Sequence, residues 1–356
     1  MYTEEERAEI WLDSFGAEYN KKMCLAEQAN TPRQLAALFS EHFAEAEALV
    51  GEKTAAKMKK SLCGGYFAAL LQKYEQKGIA CVSYSSPLYP EDLRQLPDPP
   101  LVLYCKGNVE LLAERKFAVV GSRHTPPQIM KITERYAAEL CKHFVIVTGM
   151  ADGGDSAALL GALPSGRVIS VLAYGFDFVY PECNRALLEK TAKEGLLVSE
   201  YTPEVKPRGY LFPARNRVIA GLCDGVLVVS GGEKSGTRIT ADLAMSYGRD
   251  VFAFPYSVGA SAGAGCNALI KEYAKLTDNL VDITAAFGIN LTETEEISLT
   301  EAERAVYEVV RQGETHLMQI SEKTGLKPYE LSPVLTLLEM KNLVVSCGGN
   351  RYAAIR

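Results

Sequence analysis

The spacing of apolar residues changes twice along the chain of 356 residues. Residues 1–78 carry apolar side chains at helical spacing, as in the segments 8–12 and 35–39. A proline-rich piece at 84–107 follows, and proline disfavours the interior of a helix. The pattern predicts an N-terminal all-α domain over 1–78, joined by this piece to a second domain.

From residue 117 to residue 283 the pattern changes to short β-branched runs that alternate with helical segments. Near-continuous apolar strands separated by helices are typical of a parallel sheet that is covered on both faces. The predicted class is therefore α/β, with a doubly wound, mostly parallel, extended Rossmann-like sheet in a domain over 79–288. The strand candidates are 101–104, at the end of the proline-rich piece, and then 117–120, 144–147, 168–172, 196–198, 226–229 and 251–254.

The last segment, 298–356, follows a polar linker that is rich in Thr and Glu. It shows three helical patterns and then two β-like pieces around a glycine turn, which is the order of a winged helix. Basic and acidic residues balance at seven each over 299–356, and the third helix, 329–340, has no Lys or Arg. Such a helix is poorly suited to reading the major groove. The sequence therefore predicts a protein-contact or accessory role for the winged helix.

Composition narrows the class of protein. Hydrophobic residues make up 47% and charged residues 23% of the chain, which is normal for a folded soluble protein. No apolar run of about 18 residues is present, and the acidic start at 1–6 is unlike a signal peptide, so we expect a cytoplasmic protein without a membrane partner. A net charge of −6 argues against a uniformly basic surface for duplex DNA, but it allows a local basic cleft.

Cysteine and histidine give no sign of a metal site. The nine cysteines stand singly without a Cys-x-x-Cys pair, and the four histidines do not cluster with them. The turn at 121–123 lacks the Gly-x-Gly-x-x-Gly spacing of a dinucleotide fingerprint, which disfavours NAD. We therefore expect no metal, no disulfide framework and no cofactor.

Two turns that precede helices are candidates for binding an anion. Doubly wound sheets bind ligands at the carboxyl ends of their strands, and the free N–H groups of a helix start favour negative charge there. The first turn is Gly121-Ser122-Arg123, where Arg123 could grip phosphate or could instead pair with a carboxylate. The second is Ser235-Gly236-Thr237, which could also be an ordinary helix cap.

The segment 203–217 combines basic and aromatic residues. It carries four basic residues and one acid, Glu204, in a chain that is otherwise acidic. Phe212 and Tyr210 offer flat faces to stacked bases, and Asn216 offers donors and acceptors. A basic groove with aromatic platforms is what single-strand binding requires. The four basic residues are Lys206, Arg208, Arg215 and Arg217.

An alternative for this segment is that an arginine caps the sheet edge and pairs with Glu200 or Asp155. We expect one of Arg215 and Arg217 to be structural in this way and the other to meet phosphate. Asp155 and Glu200 could instead form a catalytic pair, but nothing beside them supplies a nucleophile. An anchoring role is favoured for both acids, and no catalytic residue is predicted.

Several stretches of the chain match one known family. They are Val120-Gly-Ser-Arg123, Gly149-Met-Ala-Asp-Gly-Gly-Asp155, Tyr180-Pro181, Ser199-Glu200, Phe212-Pro-Ala-Arg-Asn-Arg-Val-Ile-Ala-Gly-Leu222, Ser235-Gly-Thr-Arg-Ile-Thr-Ala241, Gly248-Arg249 and Asn267-Ala-Leu-Ile270. Through them the chain resembles the DNA-processing protein A (DprA/Smf) family over essentially its full length.

The resemblance implies single-stranded DNA binding, protection of incoming DNA, and loading of the recombinase RecA in natural transformation and homologous recombination. It also implies a homodimer through the Rossmann-like domain, and a strand-binding cleft lined by Arg123, Phe212, Arg215 and Arg217.

The chain departs from the family pattern at several positions on the expected ligand edge. These departures are Gly154, Leu159, Ser230, Tyr256 and Cys266.

Two other functions remain open from the sequence. One is a phosphoribohydrolase-like enzyme that acts on nucleotides, since the loop 231–237 loosely resembles the Gly-Gly-x-Gly-Thr turn of that group, with Asp242 as the nearest candidate acid. The other is a winged-helix regulator with a ligand-sensing α/β domain. The favoured hypothesis is a non-enzymatic protein that binds single-stranded DNA. Its expected contact residues are Gly121, Ser122, Arg123, Lys206, Arg208, Phe212, Arg215, Asn216, Arg217, Ser235, Gly236 and Thr237.

Overall fold

A computed structural model describes residues 2–16, 19–62, 65–289, 299–341 and 343–354. Within these ranges, none of the helices is long and apolar enough to cross a lipid bilayer.

The N-terminal residues form helices, as the spacing predicts. Thr3 and Thr31 each begin a helix with a capping box, in which the threonine side chain accepts from the N–H of the third residue of the helix. The helices in this described part are α1 (Glu4–Asp13), α2 (Tyr19–Gln28), α3 (Pro32–Glu41), α4 (Phe43–Val50), α5 (Glu52–Ser61) and α6 (Tyr66–Gln76).

Nine strands of the described chain form the central sheet in the order β1-β2-β6-β5-β4-β3-β7-β8-β9. The strands from β6 to β9 in this order pair in parallel, whereas β2 pairs antiparallel with both β6 and β1. Strands β1 and β9 were not predicted; both are short and lie at the two edges. The strands are β1 (Ala80–Ser83), β2 (Val102–Gly107), β3 (Lys116–Val120), β4 (Val145–Thr148), β5 (Val168–Leu172), β6 (Leu196–Ser199), β7 (Gly225–Val228), β8 (Asp250–Ala253) and β9 (Lys275–Leu276).

Helices cover both faces of the sheet. One face packs the rings of Phe117, Phe144 and Phe252, and the other packs Val120 and Val147. Alternate residues of the strands thus fill two separate cores, which confirms the predicted doubly wound α/β class. The helices are α7 (Glu91–Arg94), α8 (Pro127–Leu140), α9 (Gly154–Ala162), α10 (Arg185–Glu194), α11 (Leu211–Leu222), α12 (Gly236–Ser246), α13 (Ala264–Glu272) and α14 (Leu280–Ala286).

The N-terminal helices share a core with the edge of this sheet. Leu12 and Phe39 are buried in one cluster with Val102 and Tyr104 of β2. The Tyr104 hydroxyl donates a hydrogen bond of 2.8 Å to an oxygen of Asp13 at the end of α1. The helical domain therefore covers the β1–β2 edge and is fixed to the Rossmann-like domain.

The winged helix has its own small core. Val306, Ile320 and Leu335 are buried in it, and the three-stranded antiparallel sheet has the order β10-β12-β11. The two-residue strand β10 was not predicted. Gln128, in the first turn of α8, donates a hydrogen bond of 3.5 Å to the carbonyl of Ala354. The elements are α15 (Glu301–Val310), β10 (Thr315–His316), α16 (Leu317–Thr324), α17 (Pro328–Met340), β11 (Val344–Gly348) and β12 (Arg351–Ala354).

Helices α8 and α9 are in close contact at Gly161, so a substitution there tests how tightly the two helices pack. A Cβ atom on Gly161 would lie 2.0 Å from the carbonyl oxygen of Glu134. We expect Gly161→Ala to destabilise the protein by about 1–3 kcal/mol, because the two helices must separate. Gly209→Ala is the matched control, since a Cβ there meets nothing within 4 Å. Urea unfolding followed by fluorescence checks this, and equal midpoints for the two variants would contradict it.

Candidate nucleic-acid interface

The candidate site is a cleft at the point where the sheet changes direction. The chain runs from β3 through β4 and β5 to β6 on one side, and then returns to place β7, β8 and β9 on the other. Ligands of doubly wound sheets bind at such a switch point, at the carboxyl ends of the strands. The cleft has a volume of about 370 Å³ and lies at the carboxyl end of β3, between the turn that follows β3, the loop that follows β4 and the helices α11 and α12.

The turn after β3 forms one wall of the cleft. The N–H of Ser122 donates to the Ser230 hydroxyl at 3.0 Å, so the departure from the family pattern at Ser230 helps to hold this turn. Gly121 is in backbone contact with Gly154, because a Cβ on Gly121 would lie 2.6 Å from the Cα of Gly154. The departure at Gly154 is thus part of the same close approach, which only glycine permits.

The start of α12 forms the facing wall. Ser235 lies at the N-cap, but its side chain does not cap the helix; its hydroxyl instead lies 2.6 Å from that of Thr237. A Cβ on Gly236 would meet nothing within 4 Å, so the backbone here is open to the cleft. In this helix of 11 residues, the N–H of Arg238 donates to the Ser235 carbonyl at 3.2 Å, whereas the N–H groups of Gly236 and Thr237 are available to an anion.

Arg123 is the exposed cation of the cleft. Its guanidinium lies 5.9 Å from the ring centres of both Tyr180 and Phe212, and these two rings are 5.3 Å apart. In the described part of the chain, Arg123 forms no ion pair with a carboxylate. The structure therefore does not support the alternative in which Arg123 pairs with a carboxylate. A free guanidinium beside two partly exposed rings can meet a phosphate while a base stacks on the rings.

The end of the basic and aromatic segment, Arg215-Asn216-Arg217, lies on helix α11, and the helix determines where each arginine points. Successive residues of a helix are rotated by about 100°, so Arg215 and Arg217 point in nearly opposite directions. Phe212 is in the first turn and lines the cleft, together with Pro213 and Asn216. The triplet Arg215-Asn216-Arg217 therefore does not form one continuous basic surface.

Arg215 points into the protein. Its side chain is only 5% exposed, and it donates to the carbonyls of Gly149, at 2.7 Å, and Val171. Burial lowers the pKa of the guanidinium, and the nearby Asp155 carboxyl opposes that effect. A Cβ on Gly149 would lie 2.6 Å from the guanidinium, so glycine is needed there to make room for it.

The structure corrects the predicted position of Arg217. It lies outside the cleft, where it pairs with Glu200 and, at 3.1 Å, with Asp98. Glu200 follows β6, so the pairing alternative considered from the sequence holds for Arg217. Because Arg215 is also occupied by protein groups, neither arginine of the triplet offers a free guanidinium to the cleft.

Lys206 and Arg208 also lie outside the cleft lining. They are exposed on the loop that precedes α11, next to Tyr210, whose side chain is 66% exposed. Other residues of this loop, among them Val205 and Tyr210, line a separate concavity beside the N-terminal helices. The predicted contact residues that do line the cleft are Gly121, Ser122, Arg123, Phe212, Arg215, Asn216, Ser235, Gly236 and Thr237.

Asp155 anchors the loops around the cleft. Its two oxygens accept hydrogen bonds from the N–H groups of Gly121, at 3.1 Å, Gly149, at 3.2 Å, and Ala151, at 3.3 Å. Burial raises the pKa of its carboxyl, while the charge of Arg215 works in the opposite direction. An acid that is fully occupied in this way has a structural role, as the favoured alternative from the sequence supposes.

The acid considered for a nucleotide hydrolase lies elsewhere. Asp242 pairs with Arg238 and accepts a hydrogen bond from the Tyr273 hydroxyl on the exposed side of α12. It does not line the cleft in the described chain. Within the described residues, no three His, Cys, Asp or Glu side chains lie together in positions that could hold a metal ion.

Two side chains of the site were missed as contact residues in the sequence. Tyr180 was noted only as part of a matching stretch, yet its ring lies beside both Phe212 and Arg123. Its separation of about 30 residues from Phe212 hides this proximity, because only the tertiary fold brings their loops together. His124 also lines the cleft, and no pattern in the sequence distinguishes it from a surface residue.

The fold and the cleft together define a Rossmann-like protein with a cleft that carries an exposed arginine and aromatic rings, and with an attached winged helix. Family models agree with this description. The model for DNA recombination-mediator protein A matches residues 80–288, and the model for the DprA winged helix domain matches residues 292–350. The chain therefore belongs to the DNA recombination-mediator protein A family.

Individual relatives support this assignment. The DNA processing protein DprA of Streptococcus pneumoniae is 44% identical over 200 residues, which is 56% of this chain and 71% of that protein. The DprA of Bacillus subtilis is 41% identical over 217 residues, covering 60% of this chain and 73% of the relative.

Solved structures of two relatives share the fold. The crystal structure of DprA from Streptococcus pneumoniae aligns with a TM-score of 0.61 at 35% identity, over 77% of this chain and 99% of that one. DNA processing protein A from Helicobacter pylori aligns with a TM-score of 0.55 at 32% identity, over 60% of this chain and 97% of that one.

The anchoring role of Asp155 makes a prediction about stability. Asp155→Ala leaves three N–H groups without an acceptor and the buried Arg215 without its counter-charge. We expect a loss of about 3–5 kcal/mol in the free energy of unfolding. Asp155→Asn keeps one acceptor oxygen and should lose less. Chemical unfolding of both variants measures the difference, and an unchanged midpoint for Asp155→Ala would contradict the anchoring role.

Proposed function

We propose that this protein binds single-stranded DNA in the cleft at the carboxyl end of β3, without catalysing a reaction on it. The observation that carries the proposal is the free guanidinium of Arg123 beside the rings of Phe212 and Tyr180, facing the open start of α12. The Helicobacter pylori relative is described for its single-stranded DNA binding mode, which supports the same ligand here.

The cleft divides the binding between two kinds of contact. The N–H groups at the start of α12 and the guanidinium of Arg123 receive phosphate oxygens. Phe212 and Tyr180 supply faces on which a base stacks. No base-specific pairing is built into this arrangement, so we expect binding that depends little on sequence and strongly on salt.

The biological role that we infer is protection of incoming single strands and their delivery to RecA in natural transformation and homologous recombination, in the cytoplasm. The description of the family as a recombination mediator supports this role. A direct test is RecA filament formation on oligo-dT that is already coated with single-strand binding protein. Faster filament formation with this protein is expected, and no acceleration would refute the RecA role while leaving strand binding intact.

We also propose a homodimer through the Rossmann-like domain. The β1 edge of the sheet is covered by the N-terminal helices, whereas Leu276 of β9 is 49% exposed at the other edge. An exposed strand edge with an apolar side chain favours pairing with a second chain. Sedimentation of the wild type and of Leu276→Arg tests this, since the dimer should dissociate in the variant.

The cleft predicts a specific effect of removing Arg123. Arg123→Ala should weaken binding to oligo-dT and reduce the slope of log K against log salt by about 0.7, because one phosphate contact is lost. The matched control is Arg115→Ala. Arg115 directly precedes β3, at the end of the strand opposite to the cleft, and pairs with Asp224. Fluorescence anisotropy at several salt concentrations measures both. An unchanged affinity and slope in Arg123→Ala would refute the proposed cleft.

The aromatic contacts predict a different signature. Phe212→Ala should cost about 1–3 kcal/mol of binding free energy, since a base loses its stacking partner, but it should leave the salt slope unchanged. Phe212→Tyr keeps the ring and serves as the control. If Phe212→Ala changed the slope as Arg123→Ala does, or left the affinity intact, the stacking role would be wrong.

A further inference from the structure

Helix α5 carries the densest positive charge of the N-terminal helical domain. Four of its ten residues are lysines, and its one acid is Glu52 at the first position. Lys57 and Lys60 are three residues apart, which places them on the same face of the helix. Both are exposed, and in the described chain neither takes part in an ion pair. They are therefore free to meet an external anion.

These two lysines border a second concavity, which we call the α5 pocket. Its volume is about 520 Å³, and it is lined in the described chain by Ser14, Phe15, Lys57, Lys60, Ser61 and Tyr66.

The groups of the α5 pocket resemble those of the cleft in kind. The rings of Phe15 and Tyr66 are stacked, with centres 5.7 Å apart and planes inclined by 23°. The Ser61 hydroxyl is occupied, because it accepts from the Trp11 indole at 2.9 Å and donates to the Met58 carbonyl. None of the described residues that line this pocket is a carboxylate. The free polar groups of the pocket are thus mainly cationic, beside aromatic rings.

A third concavity lies between the cleft and the α5 pocket, at the junction of the two domains. It is lined by Tyr210 and Leu211, which directly precede Phe212 of the cleft. Asp13 and Gly16 also line it, and the two residues between them in the sequence, Ser14 and Phe15, line the α5 pocket. The three concavities therefore lie close to one another, because residues adjacent in the chain line them.

The charges along this route do not oppose a polyanion. At the junction Asp13 is paired with Lys22 at 2.7 Å, and Glu200 is paired with Arg217. The loop above it carries Lys206 and Arg208, which are exposed and have no ion pair in the described chain. Free cations thus occur at intervals, while the acids that line the junction are neutralised.

The separation of the cleft and the α5 pocket is fixed by contacts between the domains. Lys77 of α6 pairs with Asp177, with one nitrogen–oxygen distance of 2.7 Å, and Lys73 pairs with Glu204 on the loop that precedes α11. A strand must therefore exceed a minimum length to occupy both places at once.

We propose that single-stranded DNA leaves the cleft over Lys206, Arg208 and Tyr210 and continues to the α5 pocket, where Lys57 and Lys60 bind its phosphates and Tyr66 lies against a base. This inference rests on the proposed function and extends it, because it makes the N-terminal helical domain a second DNA-contacting surface. A short strand fills the cleft alone, and a long strand gains the additional contacts.

The experiment compares oligo-dT of about 6 nucleotides, enough for one cleft, with oligo-dT of about 30 nucleotides. The full-length variant is Lys57→Ala/Lys60→Ala. The matched control is Lys190→Ala/Lys193→Ala, a pair with the same spacing on α10. We expect the α5 variant to bind the short strand like the wild type, to bind the long strand about tenfold more weakly, and to lose about 1.4 from the salt slope for the long strand.

Ultraviolet crosslinking gives a second readout that does not depend on a variant. Tyr66 or Phe15 of the wild type should crosslink to the long oligo-dT and not to the short one. If the α5 variant binds the long strand with wild-type affinity and slope, and no crosslink forms at either residue, the extended path is wrong. The proposed function still stands in that case if Arg123→Ala weakens binding of both lengths. If the wild type binds neither strand, the proposed function fails as well.

Discussion

The site depends on two buried side chains of opposite charge, Asp155 and Arg215, which are both held by backbone groups at the strand ends. Asp155 follows β4 in the chain and holds the turn after β3 through the N–H of Gly121. Arg215 reaches from α11 to the carbonyls of Gly149 and Val171 at the ends of β4 and β5. Three strand ends and one helix are thus held by two opposite charges that are removed from water. Removal of either side chain is costly, since the other buried charge loses its opposing charge. The geometry of the cleft follows from this constraint.

The same constraint explains why the sequence locates the triplet Arg215-Asn216-Arg217 near the site but does not predict the contacts of its two arginines. A basic and aromatic segment next to a strand end suggested a groove, and Phe212 and Asn216 do line one. The sequence predicts that one of Arg215 and Arg217 is structural and that the other meets phosphate, but it does not reveal that both lie on α11. Helical rotation sends one arginine into the core and the other to Glu200 at the domain junction. The free cation of the cleft is Arg123, from a turn more than 90 residues earlier in the sequence.

The fold was more predictable than the site, for a physical reason. Buried parallel strands must be apolar along their whole length, so β3 to β8 are visible as apolar runs. The edge strand β9 has only two residues, both exposed, and β1 reads Ala-Cys-Val-Ser with a single β-branched residue, so neither forms an apolar run in the sequence. The ring pair of Tyr180 and Phe212 is equally hidden, because contact between loops leaves no local pattern. Local sequence determines elements, whereas tertiary packing determines which side chains remain free.

That distinction also reconciles a net charge of −6 with a polyanionic ligand. Many cationic side chains of the protein form ion pairs with its own carboxylates. Lys73 pairs with Glu204, and Arg249 pairs with Asp92 at 2.9 Å. Such pairs contribute little field at a distance, and screening over roughly 10 Å removes most of what remains. The electrostatic field that a DNA strand meets is set by the nearby cations that have no carboxylate partner. Because Arg123 and the lysines of α5 are of this kind, the local potential can attract phosphate while the total charge stays negative.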